Sequence, residues 1–368
     1  MKINKSNVTF SSIVGIGEKV KQASEKESVE YLALNRGVNA VVNIDLTKAI
    51  SRIDPNSASY QMYAPNSGIT SLRHSIMKSY FPSQPIEKYK NVTVMPGGMP
   101  GLDLIIQTLD VEAIIFPKFY WGSYSKMATI RGKSYDFYDG IYTLDANDYN
   151  SNHCIFICDP NNPTGIKIDD HDLYYKIRQL SETGATIVFD CPYRKLFEFD
   201  DDMDLFDAIV KLPNVIVCES FSKSLGLSGA RLGFIYCNDE EFNTELAIRT
   251  LYEFNGVCTP SQLLVNELLT TCTSEVRTFQ RTTARNIVAN INYLADRDLL
   301  ATEIYGYDVP HGMFAVINVT ESELFKHKIG AVSLDKFTID KQKYSKYSRI
   351  CLSVPSDKFQ KFFDNVRI

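Results

Sequence analysis

The chain has 368 residues, 44% of them hydrophobic and 23% charged, with a formal net charge of −5. That length suits one large core with a smaller companion domain, and the mild acidity argues against nucleic acid or an anionic membrane as a main partner. No apolar run of about 18 residues is present to span a bilayer. Residues 1–15 contain no apolar stretch fit for a signal peptide, so a cytoplasmic protein is expected. The eight cysteines are irregularly spaced and mostly sit inside apolar runs. They read as reduced, buried thiols, with no disulfide frame and no metal site.

Along the chain, 13–35 reads as a polar helix and Val41–Leu46 as a short extended piece, followed by a loop rich in Pro, Asn, Ser and Gly up to Gly68. The pattern then becomes regular. Apolar runs at Val92–Met95, Ala113–Phe116, Cys154–Cys158, Thr186–Asp190, Val215–Cys218 and Phe234–Cys237 read as strands. Helical stretches at 99–109, 121–131 and 170–183 separate several of them. The strands are apolar throughout rather than alternating, which is the signature of strands buried on both faces. Strand–helix alternation of this length predicts an α/β fold with a mostly parallel, doubly wound sheet. A helical region at 260–300, strands at Phe314–Val319 and Arg349–Ser353 and a helix at 357–366 predict a smaller α+β domain built from both termini. The expected division is 1–48 for the N-terminal arm, 49–258 for the large domain, and 259–368 for the interdomain helix and small domain.

In such a fold the ligand site forms where loops leave the carboxyl ends of the strands. Those loops carry the notable residues. Pro96-Gly97-Gly98-Met99 opens a helix, either as a plain turn or as a phosphate cradle of backbone amides at a helix N-terminus. Asp159-Pro160-Asn161-Asn162-Pro163-Thr164-Gly165 presents Asn162 from a rigid turn. Asp190 closes a buried strand, as a helix cap or as a paired carboxylate, and Tyr193 follows it. Lys223 comes just after a buried strand, among Ser220, Ser222 and Ser224, with Arg231 eight residues on. A desolvated lysine near a second cation has the lowered pKa that Schiff-base chemistry needs.

Taken in order, these strings resemble the fold-type I enzymes dependent on pyridoxal 5′-phosphate (PLP), specifically the class I and II aminotransferases that include aspartate aminotransferase-like proteins. The resemblance runs from about Tyr60 to Ser353. It implies that Lys223 is the Schiff-base lysine and the catalytic proton carrier. Asp190 would pair with the pyridinium nitrogen, and Asn162 and Tyr193 would bond the ring hydroxyl. Gly98, Met99, Ser220, Ser222 and Arg231 would hold the phosphate. Phe119 falls where a ring covers the pyridine, with Tyr120 and Trp121 as adjacent alternatives. Tyr63 resembles the tyrosine that reaches the partner's phosphate, so a homodimer is implied. Arg349, together with Asn162, would grip the substrate α-carboxylate.

The implied substrate is an amino acid, and the implied reaction is transamination after proton removal from Cα. The alternatives are β- or γ-elimination, replacement, or cyclisation of a substrate such as a hydroxylated arginine, and, more remotely, a non-catalytic PLP-binding protein. Asn43–Lys48 stands where the family commonly has a glycine-containing segment that closes over the substrate. No motif singles out Arg52, Arg249 or Arg281 as a reader of the substrate side chain.

Overall fold

The computed structural model describes residues 1–197 and 203–366. Seven strands form the main sheet: β1 (Val92–Met95), β2 (Ala113–Pro117), β3 (Tyr135–Tyr138), β4 (His153–Cys158), β5 (Thr186–Asp190), β6 (Val215–Ser220) and β7 (Gly233–Cys237). Their spatial order is β1-β7-β6-β5-β4-β2-β3. β7 runs antiparallel to both its neighbours, and the other ladders are parallel.

The continuous apolar character of the central strands follows from their two covered faces. Ile155, Ile157, Ile187, Phe189 and Val217 enter one apolar cluster, while Phe156, Val188, Ile216 and Cys218 enter another on the opposite side. Burying each such large side chain contributes roughly 1.5–3 kcal/mol. β3, with the sequence Tyr-Asp-Phe-Tyr, lies at the sheet edge with its first two residues exposed. It therefore lacks the unbroken apolar run that marks its neighbours.

A second sheet joins β8 (Phe314–Ile317), β9 (Val332–Ser333) and β10 (Ser348–Cys351) in the order β9-β10-β8, all antiparallel. The short strand Leu32–Ala33 pairs in parallel with Ile329–Gly330, so the beginning of the chain is fastened to its C-terminal part.

Several elements differ from the sequence expectation. The first helix spans Ser12–Glu27, ending where Ser28 turns left-handed at φ 54°. Residues 41–46 form no strand, and two short helices, Thr47–Ser51 and Ala58–Gln61, interrupt the loop that follows. A further helix, Thr70–Tyr80, packs Leu72, Ile76 and Met77 inward. The region 260–300 is two helices, Thr259–Thr270 and Thr273–Ala295, parted at Thr271 and Cys272. Among the described residues, no helix is long and apolar enough to cross a membrane.

Candidate active site

Segments leaving the carboxyl ends of the parallel strands enclose a cavity of ≈ 360 Å³. Lys223, Asp190, Asn162, Tyr193, Arg231 and Arg349 all line it, although they come from three segments, at the ends of β4, β5 and β6, and from the second sheet.

β6 ends at Ser220, and the short helix Phe221–Ser224 begins at once, capped by the Ser220 hydroxyl accepting from the Ser222 amide at 3.4 Å. This tight turn is what brings Lys223 into the cavity. Its amine donates to the carbonyl of Gly37. Burial lowers its pKa to about 8; Cys351 opposes this, while Arg349 and Arg231 reinforce it. A lysine in this state has a large neutral, nucleophilic fraction near neutral pH.

Asp190 closes β5 and is 6% exposed. Burial raises its carboxyl to about 7, while the hydrogen bond it accepts from the Tyr124 hydroxyl pulls the other way. A carboxylate left with one neutral partner in such a place favours a cationic group opposite it.

Asn162 donates from Nδ2 to the Tyr193 hydroxyl at 3.2 Å, and its Oδ1 accepts from Nη1 of Arg349 at 3.4 Å. The loop bearing Asn162 is fixed from behind. Asp159, fully buried, accepts from the Ile168 amide at 2.8 Å and from Nη1 of Arg194 at 2.6 Å, and Arg194 also bonds Asp170. Because Arg194 follows Tyr193, this buried ion-pair group ties the Asn162 loop to the Tyr193 turn.

Arg349, in β10, is 1% exposed and lies between the rings of Phe314 and Phe337, at 4.4 and 4.8 Å. One amino group donates to the Asn35 carbonyl, and Nε is buried without a partner. Among the described residues no carboxylate pairs with it. Burial pulls its pKa down to about 10, so it stays charged at neutrality. A buried guanidinium with an unused donor is a ready site for a carboxylate.

At the other end of the cavity, Gly97 has φ +108° and caps the helix Gly98–Thr108. A Cβ there would stand 2.7 Å from Nη2 of Arg231, and one on Gly233 would meet the Glu219 carbonyl at 2.4 Å. The glycines let a helix N-terminus, the Ser220 and Ser222 hydroxyls (3.1 Å apart) and the Arg231 guanidinium share one corner. That corner has the donors a phosphate dianion requires.

Met99 also lines the cavity, half exposed. Of the three adjacent aromatics, Trp121 lines it and Phe119 does not. The Phe119 ring meets Tyr344 edge-on at 4.9 Å in a separate apolar cluster, its backbone held by Asn161 and by the Tyr120–Phe337 hydrogen bond. Phe119, expected as the covering ring, thus lies outside the cavity, and its neighbour Trp121 lies along it.

Tyr63 is 86% exposed and does not reach the cavity of its own chain. The N-terminal glycine at the site is Gly37, whereas 42–45 line a separate groove with Ser274 and Glu275. This too corrects the sequence expectation. The site also includes Asn35 and Tyr124, for which no motif gave a signal.

The family profile described as aminotransferase class I and II matches residues 31–366. Among curated proteins, histidinol-phosphate aminotransferase 1 of Haemophilus influenzae (strain 86-028NP) is 30% identical over 161 residues, which are 41% of this chain and 44% of that protein. The histidinol-phosphate aminotransferase of Methanocaldococcus jannaschii is 28% identical over 212 residues, 51% of this chain and 54% of its own length. The chain thus spans about half the length of these curated relatives. Among solved structures, aspartate aminotransferase from Thermus thermophilus with maleate superposes with a TM-score of 0.82 at 17% identity, covering 99% of this chain and 98% of that one. An aminotransferase from Mycobacterium tuberculosis gives 0.83 at 15% identity, covering 99% and 97%. At these identities the structural likeness speaks for the fold alone.

Proposed function

Because this chain belongs to the class I and II aminotransferase family, whose cofactor is pyridoxal phosphate, we propose that it transfers the amino group of an amino acid. The observation that carries this reading is one cavity holding a buried lysine of lowered pKa, a buried carboxylate and a buried arginine that has no acid partner among the described residues.

The residues present fit the cofactor. The Gly97–Gly98 cradle, Ser220, Ser222 and Arg231 would hold its phosphate, and Lys223 would hold its carbonyl carbon. Asp190 would keep a proton on its ring nitrogen, with Tyr124 fixing the carboxylate. Asn162 and Tyr193 would bond the ring hydroxyl, and Trp121 would cover a face of the ring. When bound, PLP draws electrons from the substrate Cα–H bond.

The protein's own contribution is orientation and proton handling. Arg349 and Asn162 would grip the α-carboxylate, which sets the direction of the Cα–H bond. Lys223 would take the proton from Cα, a role that suits an amine with a pKa of about 8. Ile13 and Val14, at the start of the first helix, add apolar surface to the cavity wall.

The same reading includes a homodimer in which Tyr63 contacts the neighbouring subunit, supported by its exposed ring beside exposed Met62. It also includes a cytoplasmic location, supported by eight free thiols, seven of them buried. The division at residues 49 and 259 belongs with it, supported by the pairing of Leu32–Ala33 with Ile329–Gly330.

The deciding experiment is a single turnover with a panel of amino acids. Recovery of the cofactor in its amine form, pyridoxamine phosphate, with the matching 2-oxo acid supports amino transfer. Turnover that never yields that form would instead place the reaction among eliminations, replacements or cyclisations.

A further inference from the structure

The peptide unit between Phe119 and Tyr120 is bonded on both sides. Its carbonyl, on Phe119, accepts from Nδ2 of Asn161 at 3.1 Å, and its amide, on Tyr120, donates to the Phe337 carbonyl at 2.9 Å. Each partner leads to one arm of the carboxylate grip described above. Asn161 immediately precedes Asn162, and the Phe337 ring lies 4.8 Å from the Arg349 guanidinium. Asn162 and Arg349 in turn meet at 3.4 Å. The residue that follows this doubly held peptide is Trp121.

We propose that Phe119 is a positioning residue, whose ring anchors this peptide so that the Trp121 indole and the two arms Asn162 and Arg349 are set as one unit. Occupancy of the carboxylate grip is then felt at the ring that covers the cofactor. This inference rests on the reading of the cavity as a PLP site with a carboxylate grip, and gives that site a residue outside its lining.

The anchor is the ring rather than the charge beside it. Phe119 meets Tyr344 edge-on at 4.9 Å and packs on an apolar cluster that includes Leu334, Phe337 and Tyr347. These residues form the connection from β9 to β10, the strand that carries Arg349. Lys118, next to Phe119, spans Asp139 and Asp340 at 3.0 Å each. Asp139 is exposed and Asp340 partly so, and ion pairs open to solvent contribute little. An aromatic edge contact within an apolar cluster supplies both attraction and direction.

The groups that hold the peptide are themselves fixed. Oδ1 of Asn161 accepts from the Thr164 amide at 3.2 Å and from its hydroxyl at 2.9 Å, which turns Nδ2 towards Phe119. On the other side of Trp121, a Cβ on Gly122 would stand 3.2 Å from the Lys336 carbonyl. Both neighbours of Trp121 therefore lie against residues 336 and 337. The indole itself meets Tyr124 edge-on at 5.7 Å, and Tyr124 bonds Asp190.

Trp121 is the only tryptophan of the chain, so its emission reports on the cover without a label. The test measures the rate constant for acrylamide quenching of Trp121 from emission lifetimes. It compares the apoprotein, the PLP-loaded protein, and the loaded protein with propionate, a carboxylate that carries no amine. Cofactor absorbance follows propionate occupancy independently. In wild type, PLP should lower the quenching constant and propionate should lower it further. In Phe119→Ala the constant of the apoprotein should rise at least about twofold, the low end of what one aromatic pair contact carries. Its response to propionate should disappear while the absorbance still titrates. Phe119→Leu keeps apolar volume and should restore part of the response. Asn161→Asp keeps the acceptor for Thr164 but loses the donor to Phe119, and should reproduce the loss without removing a ring.

A quenching constant unchanged in both Phe119→Ala and Asn161→Asp overturns the proposal. So does a wild-type indole that ignores propionate while the cofactor absorbance responds. Either result leaves the aminotransferase reading in place. Propionate that changes neither signal, or PLP that adds no cofactor absorbance, overturns that reading and the proposal with it.

Discussion

The amine of Lys223 donates to the backbone carbonyl of Gly37, 186 residues earlier in the chain. This bond joins the loop after β6 to the N-terminal segment and shields the amine from water. A carbonyl dipole stabilises a protonated amine less than a carboxylate would, so burial prevails and the pKa falls to about 8.

Capture of PLP by the apoprotein should therefore depend on pH. The neutral amine is the reactive form, and its fraction grows as pH rises towards about 8 and levels off above it. The capture rate followed by absorbance should rise between pH 6.5 and 8 and flatten near 9. A rate that kept climbing to pH 10 would assign the amine an ordinary lysine pKa.

Asp190 gives a stability prediction of definite sign. Its carboxyl sits at about 7 in the folded chain against an ordinary value of 3.8, so the folded state holds this proton more tightly than the unfolded state does. The stabilisation is complete below about pH 4 and is lost as pH rises through 7, by up to ~1.4 kcal/mol per pH unit. Denaturant titrations of the apoprotein from pH 4 to 8 should show a smaller decline for Asp190→Asn than for wild type. Other buried carboxyls such as Asp159 contribute to both curves, so the difference between the two is the quantity to read.

Replacing Tyr124 by Phe removes the hydrogen bond that lowers the Asp190 pKa. The midpoint of that pH dependence should move above 7, and the ring nitrogen should hold its proton less firmly. The absorbance titration of the PLP-loaded variant measures the second effect. An unchanged profile in both measurements would remove Tyr124 from the site.

Arg349→Lys keeps the charge and loses the planar fork. The KM for the amino acid should rise roughly 10–100-fold, the loss expected for a charge-assisted hydrogen bond. Affinity for PLP should change far less, since Arg349 bonds Asn162 and Asn35 at the substrate end of the cavity. Equal losses in both constants would give Arg349 a structural role only.

Arg194→Met should destabilise the fold by about 3–5 kcal/mol, because it strands the buried Asp159 carboxylate. The further change Asp159→Asn in the same chain should recover part of that loss. Equilibrium unfolding of the single and double variants reads both values, and a single variant within 1 kcal/mol of wild type would show the pair to be dispensable.

Much of the site was legible because its residues follow buried strands. Asp190, Asn162, Tyr193 and Lys223 each come just after an apolar run, and the structure brings them to one cavity with Arg231 and Arg349. The contribution of Asn35 and Gly37 was not legible, because both act through backbone carbonyls that any residue supplies. Tyr124 lines the cavity from the helix Ser123–Ile130, where an apolar position and a polar role look alike in sequence. Three aromatics in succession carry no marker of which one a turn directs inward, so the sequence does not separate Phe119 from Trp121, which lines the cavity. The edge strand Tyr135–Tyr138 is not legible for a related reason: a half-exposed strand needs no continuous apolar run.

The most direct test of the central claim is to load the protein with PLP, reduce it with borohydride and locate the fixed label by peptide mass mapping. The pyridoxyl label should be found on Lys223, with no stable label in Lys223→Ala. Label on another lysine, or an equal yield in the variant, would contradict the assignment of this cavity as the cofactor site.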